Sequence, residues 1–208
     1  MGSDDGDKTL IVRNHPITVV HGIPDAMRAS AVELYDEAFG AKFAVALPSA
    51  RQRRAVLSAS LDLTFAFAAL AGPQLVGVAG YKTSAGSFTG GLTYRQLLRH
   101  TGPLQGTWAA VVFSLYERRL SAGQLLMDGI VVDASKRGEG IGTCLLNHVT
   151  AYAAANDYRH VRLDVIDTNP SAQRLYERNG FVPRATEHFG YLRWLLGFGA
   201  CTTLIRAV

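Results

Sequence analysis

Three glycines at alternate positions, Gly138, Gly140 and Gly142, lie between an apolar run and a long helical pattern. Backbone N–H groups at the start of a helix have no partner inside the helix, and the helix dipole favours negative charge there. Glycine has no Cβ, so it allows such a backbone to approach a ligand closely. The order of strand, glycine-rich turn and helix therefore predicts a binding site for phosphate groups.

The spacing of the glycines distinguishes three kinds of phosphate motif. A nucleotide P-loop requires a lysine after its glycines, and a dinucleotide fingerprint requires a glycine where this chain has Thr143. The pattern Arg-x-x-Gly-x-Gly, at Arg137, Gly140 and Gly142, instead resembles the pyrophosphate loop of the GNAT N-acetyltransferase superfamily. Such a short pattern also occurs by chance, and the alternative is a tight turn that happens to be rich in glycine.

A second segment strengthens the resemblance. NPSAQRLYERNGF, from Asn169 to Phe181, resembles the family's second signature, N-x-x-A-x-x-x-Y-x-x-x-G-F. A helical pattern and a strand pattern separate the two motifs, as in the family. The resemblance is specific from Leu125 to Phe181, and before that it rests only on the order of the elements.

The resemblance implies that acetyl-CoA is the cosubstrate and that no metal is needed. The family splays two adjacent parallel strands around the cosubstrate, and here these strands would be Leu125 to Val132 and His160 to Ile166. The implied contacts are the backbone of Ile130, Val131 and Val132 for the pantetheine arm and the thioester carbonyl, Arg137, Gly138, Glu139, Gly140, Ile141, Gly142 and Thr143 around the pyrophosphate, and Asn169 for the arm. The Glu139 side chain, being negative, is expected to point to solvent.

Two side chains are candidates for proton transfer. An amine with an ordinary pKa of about 10 must lose a proton before it attacks a thioester. Asp128 is the acid in an otherwise apolar strand, where a carboxylate is costly to bury, and we interpret it as the base or as an amine-positioning group. Tyr176 matches the family's general acid. Structural roles are the alternatives for both, and Asp164 in the next strand is predicted to be structural.

The elements that position these residues alternate between strands and helices. Apolar spacing predicts helices from Pro24 to Phe39 and from Ile141 to Asn156, and a hairpin of two strands, Leu61 to Leu70 and Leu75 to Tyr81. We expect an α/β (α+β) fold of the GNAT type: a mixed, strongly twisted sheet with a splay between two central parallel strands and helices on both faces.

The expected organisation is a flexible tail over residues 1–15 and a GNAT-like domain over 16–208, with a helical insertion at about 83–123. Within the insertion, Tyr94, Arg95, Arg99 and Trp108 either shape the acceptor pocket, cap the sheet or form a subunit contact. The late apolar segment from His188 to Phe198 either lines the acceptor site or contributes to an oligomer interface. A homodimer is therefore one possible assembly.

The net charge, the cysteine count and the length of the apolar runs exclude several classes of binding partner. The formal net charge of +4 favours anionic ligands but is too small and too scattered for nucleic acid. Two isolated cysteines argue against a disulfide framework or a zinc site, and the longest apolar stretch is too short to span a membrane. We therefore expect a cytoplasmic enzyme that binds neither nucleic acid nor membranes.

The leading hypothesis is acetyl transfer to a primary amine of a small molecule. A protein or peptide amine as acceptor and a catalytically silent acyl-CoA-binding regulatory domain are the alternatives. A wide groove open at both ends would favour a protein acceptor, whereas a closed pocket under the helical insertion would favour a small molecule.

Overall fold

A mixed sheet of eight strands organises the computed structural model, which describes residues 10–12, 15–115, 118–190 and 193–208. The strand order is β1-β2-β3-β4-β5-β6-β8-β7, and only β5 and β6 are parallel neighbours. The strands are β1 (Leu10–Val12), β2 (His15–His21), β3 (Ala66–Ala71), β4 (Gln74–Lys82), β5 (Gln124–Val132), β6 (His160–Ile166), β7 (Val182–His188) and β8 (Ala200–Ala207).

Helices cover both faces of this sheet, as predicted. They are α1 (Arg28–Phe43), α2 (Ala50–Ser60), α3 (Tyr94–Thr101), α4 (Pro103–Ser114), α5 (Ile141–Ala155), α6 (Pro170–Arg178) and α7 (Arg193–Leu196). Along β4, Val76 and Ala79 belong to the core on the α5 face, whereas Leu75 and Val78 belong to the core on the α1 face. Within the described ranges, no helix is long and apolar enough to cross a membrane.

Strands occupy the last part of the range predicted as an N-terminal tail. Strand β1 and the start of β2 lie inside the expected tail of residues 1–15, and Leu10 pairs with Ile17 in an antiparallel ladder. The run Leu10-Ile11-Val12 contains two β-branched residues, which favour an extended backbone once a neighbouring strand is present. Residues 1–9 and 13–14 lie outside the described part of the chain.

The first strand of the predicted hairpin also begins later than expected. Asp62 accepts hydrogen bonds from the Thr64 amide (3.1 Å) and the Thr64 hydroxyl (2.6 Å), and this cap starts a short 3-10 turn over Leu63–Phe65. Side-chain bonds of this kind compete with strand ladders. Strand β3 therefore begins at Ala66 rather than at Leu61.

The predicted helical insertion contains two helices, α3 and α4. Thr93 and Gln96 form a capping box at the start of α3, and Pro103 opens α4 at a position that needs no amide donor. A separate apolar cluster joins both helices to α2 and to the segment between α1 and α2; its buried members are Ala46, Leu47, Val56, Leu97, Ala109 and Val112. This cluster holds the insertion against the first half of the chain.

Phe88 anchors the loop that connects β4 to α3. Its side chain is fully buried, and a Cβ added to Gly80 would lie 2.3 Å from its ring carbon Cδ1. The Phe88 amide donates to the Tyr81 carbonyl (3.0 Å), and the Phe88 carbonyl accepts from the Asp62 amide (2.9 Å). The ring can therefore occupy its place only because position 80 lacks a side chain.

We predict that Gly80→Ala destabilises the protein by about 1–3 kcal/mol, because the added methyl group displaces the Phe88 ring from a packed core. Urea denaturation measures the change. Gly190→Ala is the matched control: nothing lies within 4 Å of a Cβ there, so we expect a change below about 0.5 kcal/mol. Equal stability of the two variants would contradict the proposed packing.

Candidate functional site

The two central parallel strands separate after a short stretch of pairing. Gln124 pairs with His160, Leu125 with Val161 and Leu126 with Arg162, and no further β5–β6 pair is present among the described residues. On its other side β5 stays paired with β4 as far as Val132. The predicted splay is therefore present, between the second half of β5 and the second half of β6.

The open edge of β5 carries backbone groups without a strand partner. Ile130, Val131 and Val132 pair with β4 on one side only. Because alternate residues of a strand direct their N–H and C=O groups to opposite edges, about half of the groups in this stretch face the splay. A bound extended group could occupy that edge as a further strand would.

Asp128 lies at an irregularity in β5, where the strand begins to leave its neighbour. Gly129 pairs with Gly80 and Met127 pairs with Tyr81, so Asp128 is the extra residue of a bulge. A bulge redirects one side chain away from its expected face and bends the strand. Here it directs the carboxylate to the α1 face.

Three donors from the loop between β4 and α3 hold the Asp128 carboxylate. The Ser87 hydroxyl donates to Oδ2 at 2.9 Å, and the Thr89 amide and hydroxyl donate to the same oxygen at 3.2 Å. The Tyr35 hydroxyl of α1 lies 3.5 Å from the Asp128 carbonyl oxygen. Burial raises the pKa of Tyr35, and the negative charge of Asp128 raises it further by a smaller amount. Asp128 is thus partnered through one oxygen, and its other oxygen has no hydrogen bond among the described residues.

The glycine loop connects β5 to α5. Asp133 caps a short 3-10 turn by accepting from the Ser135 amide (2.8 Å) and hydroxyl, and the Ser135 hydroxyl bond lowers the pKa of Asp133. Arg137 donates from Nε to the Val132 carbonyl at 3.2 Å. Hydrogen bonds made by the side chains of Asp133, Ser135 and Arg137 therefore hold the turn as far as Gly138, the first glycine of the loop.

The three glycines have different roles. Gly138 and Gly140 have φ values of +79° and +84°, and nothing lies within 4 Å of a Cβ at either position. They are required for their backbone conformation rather than for a close approach within the protein. Gly142 is helical, and a Cβ there would lie 3.3 Å from Cδ2 of Leu175, so it allows α6 to pack close to α5.

The N-terminus of α5 has no side-chain cap. Gly140 occupies the capping position and offers no side-chain hydrogen bond. The amides of Ile141, Gly142 and Thr143 lie in the first turn, where a helix has no internal acceptor for them. Glu139, immediately before the cap, is only partly buried. The amides in this turn suit an anion better than a neutral group.

Asn169 caps the next helix. Its side-chain oxygen accepts from the Ala172 amide at 3.2 Å and from the Ser171 hydroxyl at 2.9 Å. Pro170 occupies the first helical position, which explains why the segment folds as a helix start. The side-chain oxygen of Asn169 is therefore used locally, and only its amide group remains for a ligand.

Tyr176 belongs to the core on the α5 face. It is 8% exposed, its ring lies 6.1 Å from that of Phe181, and burial raises the pKa of its hydroxyl to about 12. Asp128 opens to the α1 face instead. The two predicted catalytic side chains therefore belong to opposite faces of the sheet.

A cavity of about 540 Å³ extends from Asp128 on the α1 face. Its walls come from α1 to α4, the loop between β4 and α3, the open ends of β5 and β6, and β8. Among the predicted insertion residues, Tyr94 lines this cavity, whereas the Trp108 indole donates to the Val45 carbonyl at 3.2 Å. From the late apolar segment, Phe198 also contributes to the wall, while Tyr191 and Leu192 lie outside the described residues.

Asp164 lines the cavity and is held in a dense hydrogen-bond network. It accepts from Arg118 Nε (3.1 Å), from two nitrogens of Arg162 and from the Thr203 hydroxyl (2.6 Å). No sequence pattern indicates its partner Arg118, because the two residues come together only in the fold. No motif in the sequence singles out Ser87 and Thr89 either, and only the fold brings them to Asp128.

We predict that Gly140→Ala destabilises the protein by about 1–2 kcal/mol, because a residue with a Cβ is strained at positive φ. Chemical denaturation measures the change. For comparison, Gly142→Ala places its methyl group in a helix against the movable end of Leu175, and we expect a change below about 1 kcal/mol. A larger loss at position 142 than at position 140 would refute the assigned roles.

Comparisons with known proteins agree with this geometry. Residues 29–181 match the family described as Acetyltransferase (GNAT) family. A streptothricin acetyltransferase from Streptomyces lavendulae is 35% identical over 81 residues, which cover 39% of this chain and only 40% of that relative.

Solved structures share the fold at lower identity. The crystal structure of an acetyltransferase aligns with a TM-score of 0.60 and 17% identity over 91% of this chain and 98% of that chain. A GCN5-related N-acetyltransferase from Kribbella flavida aligns with a TM-score of 0.59 and 15% identity over 92% and 98%. The family match contains the bulged strand, the splay, the glycine loop and the second motif, and the chain therefore belongs to the GNAT acetyltransferase family.

Proposed function

We propose that the protein transfers an acetyl group from acetyl-CoA to a primary amine of a small molecule, directly and within a ternary complex. One observation carries the proposal: the open edge of β5 leads from the uncapped start of α5 to a cavity with a carboxylate in its wall. A thioester bound along the open edge of β5 would then lie next to an amine bound in the cavity on the α1 face.

The residues of the glycine loop fit the cosubstrate. Acetyl-CoA would supply a diphosphate, an extended amide-bearing arm and a reactive thioester. Arg137 to Thr143 would hold the diphosphate mainly through the first-turn amides of α5. The backbone of Ile130, Val131 and Val132 would bind the arm along the open edge, and the Asn169 side-chain amide would contact it.

The cavity favours a small acceptor. Tyr94 and Leu97 of α3 and Ala110 and Phe113 of α4 contribute to its wall, so the insertion covers part of the space next to Asp128. The relative from Streptomyces lavendulae is named for acetylation of streptothricin, which also supports a small acceptor. Transfer to a protein or peptide amine would need a wider entrance.

The proposed reaction transfers one acetyl group. The acceptor ammonium group loses two protons in all, one to Asp128 before attack and one to solvent after the nitrogen has bonded to carbon. The sulfur gains one proton from Tyr176, which solvent then reprotonates. The acceptor nitrogen loses a proton and bonds to the thioester carbonyl carbon, while the carbon–sulfur bond breaks and the electron pair stays on sulfur. Asp128, directly or through a water molecule, holds the ammonium group and takes its proton. An amide on the open edge of β5 stabilises the negative charge on oxygen. Tyr176 returns a proton to the sulfur.

The environment of Tyr176 suits a proton donor. A pKa of about 12 keeps its hydroxyl protonated at every pH at which the enzyme would work. The thiolate leaves on the α5 face, where Tyr176 is buried, whereas the amine arrives on the α1 face at Asp128.

Calorimetry with acetyl-CoA, combined with thiol release on a panel of amines, tests the proposed function. We expect saturable binding of acetyl-CoA and amine-dependent release of CoA with formation of an N-acetyl product, identified by mass spectrometry. Tight binding without turnover of any amine would instead support a silent acyl-CoA-binding domain. Absence of binding would refute the proposal as a whole.

We predict that Tyr176→Phe lowers kcat about 100-fold or more, because the sulfur then leaves without a proton donor. The KM for acetyl-CoA should change little, since the variant keeps the ring in the core. Because the pKa of Tyr176 is about 12, the remaining activity should show the same pH dependence as the wild type below about pH 10. An unchanged kcat would leave Tyr176 with a packing role only.

We predict that Asp128→Asn lowers kcat/KM for the amine about 100-fold or more, while acetyl-CoA binds as before. The asparagine retains an oxygen for the Ser87 and Thr89 donors, so the change removes the charge and keeps the loop contacts. Asp157→Asn, at an exposed residue outside the cavity with a φ of 59° that asparagine tolerates, should leave both quantities unchanged. Full activity of Asp128→Asn would exclude this carboxylate as the base.

A further inference from the structure

Positive side chains outnumber negative ones in the acceptor cavity. Among the described residues that line it, the cations are Lys42, Arg53, Lys82 and Arg118, and the anions are Asp128 and Asp164; Arg53 is also paired with Asp36, so the excess is one charge rather than two. Walls with an excess of one charge raise the local concentration of ligands of the opposite charge and disfavour ligands of the same charge. The cavity therefore suits an acceptor that carries a negative group in addition to its amine.

The two carboxylates of the cavity are not equivalent. Asp164 receives hydrogen bonds on both oxygens from Arg118, Arg162 and Thr203, which uses the roughly four positions at which a carboxylate can accept. Asp128 accepts through Oδ2 alone among the described residues. An acceptor ammonium group thus has one suitable carboxylate oxygen in this wall, Oδ1 of Asp128.

The cations also differ in their local contacts. Arg53 donates to Asp36 at 2.8 Å and to the carbonyls of Leu47 and Pro48, so it is part of the α1–α2 contact. Lys42 is close to Arg118, Cys201 and Asp164, and burial lowers its pKa to about 8. An ammonium group that has lost most of its water gains strongly from a bound anion. Lys42 and Arg118 therefore form a positive corner of the cavity.

This corner and Asp128 lie across the splay from each other. Leu126 pairs with Arg162, and Asp128 and Asp164 each come two residues later, on the two diverging strands. Along α1, Lys42 lies seven residues beyond Tyr35, which corresponds to about 10 Å of helix, and the Tyr35 hydroxyl is next to Asp128. An acceptor whose ammonium and carboxylate groups are a few bonds apart can therefore contact both sides of the splay.

We propose that the acceptor is an amine that also carries a carboxylate, with its ammonium group at Asp128 and its carboxylate at Lys42 and Arg118. The inference rests on the proposed acetyl transfer and specifies its substrate class. Phe39, Phe43 and Phe113 also line the cavity, so an α-amino acid with an aromatic side chain can place its ring against them.

Matched acceptors test this assignment with the unmodified protein. Phenylalanine, phenylalaninamide and phenethylamine present the same ring and amine with and without the carboxylate. We expect kcat/KM for phenylalanine, measured by thiol release and confirmed by mass spectrometry, to exceed that for each of the two acceptors without a carboxylate by at least about tenfold, the value of a charge-assisted hydrogen bond.

A charge variant tests the positive corner directly. In Lys42→Met, which keeps most of the length and apolar surface of the side chain, the preference for phenylalanine over phenethylamine should fall by about tenfold or more. Arg51→Met removes an exposed positive charge outside the cavity, and its preference should equal that of the wild type. Acetyl-CoA affinity, measured for each variant, shows whether its fold is intact.

The outcomes separate the two levels of the proposal. Turnover of phenethylamine as well as or better than phenylalanine would overturn the carboxylate-bearing acceptor while leaving acetyl transfer in place. Absence of turnover with all amines, despite bound acetyl-CoA, would overturn both. A preference for phenylalanine that persists in Lys42→Met would contradict the assignment of the positive corner.

Discussion

The site depends on the point at which β5 and β6 stop pairing. On one side β5 remains paired with β4 through Val132, and on the other side β6 remains paired with β8 along its whole length. The two halves of the sheet are each held by their own ladders, so closing the gap would cost hydrogen bonds elsewhere. Unpaired backbone groups are costly to bury, and this open edge therefore favours a ligand with complementary donors and acceptors.

The sheet also separates the two faces on which chemistry can occur. Asp128 is turned to the α1 face by the bulge, while Tyr176 lies in the core on the α5 face. The splay lies between these two faces. In the described part of the chain, no β5–β6 hydrogen-bond ladder closes the sheet there. In the proposed reaction, the proton acceptor Asp128 and the proton donor Tyr176 would therefore act from opposite faces of the sheet.

Local pattern predicted much of this arrangement. The apolar runs predicted β5 and β6, and the resemblance of two short motifs to a family predicted the splay and the glycine loop. Apolar spacing failed where a specific pairing or cap decides the structure: β1 forms because β2 pairs with it, and β3 starts late because the Asp62 side chain caps a turn at Thr64. The partners of Asp128 are 39 and 41 residues away from it, in a loop that shows no periodicity.

Phe88 separates the two residues that hold Asp128, and its burial beneath Gly80 fixes their position independently of the helices α3 and α4. Those two helices are attached through a different apolar cluster. Sequence change in α3 and α4 can therefore reshape the far wall of the cavity while the carboxylate keeps its orientation. Substitutions in α3 and α4 would then change which molecules fit the cavity and leave Asp128 and its hydrogen-bond donors in place.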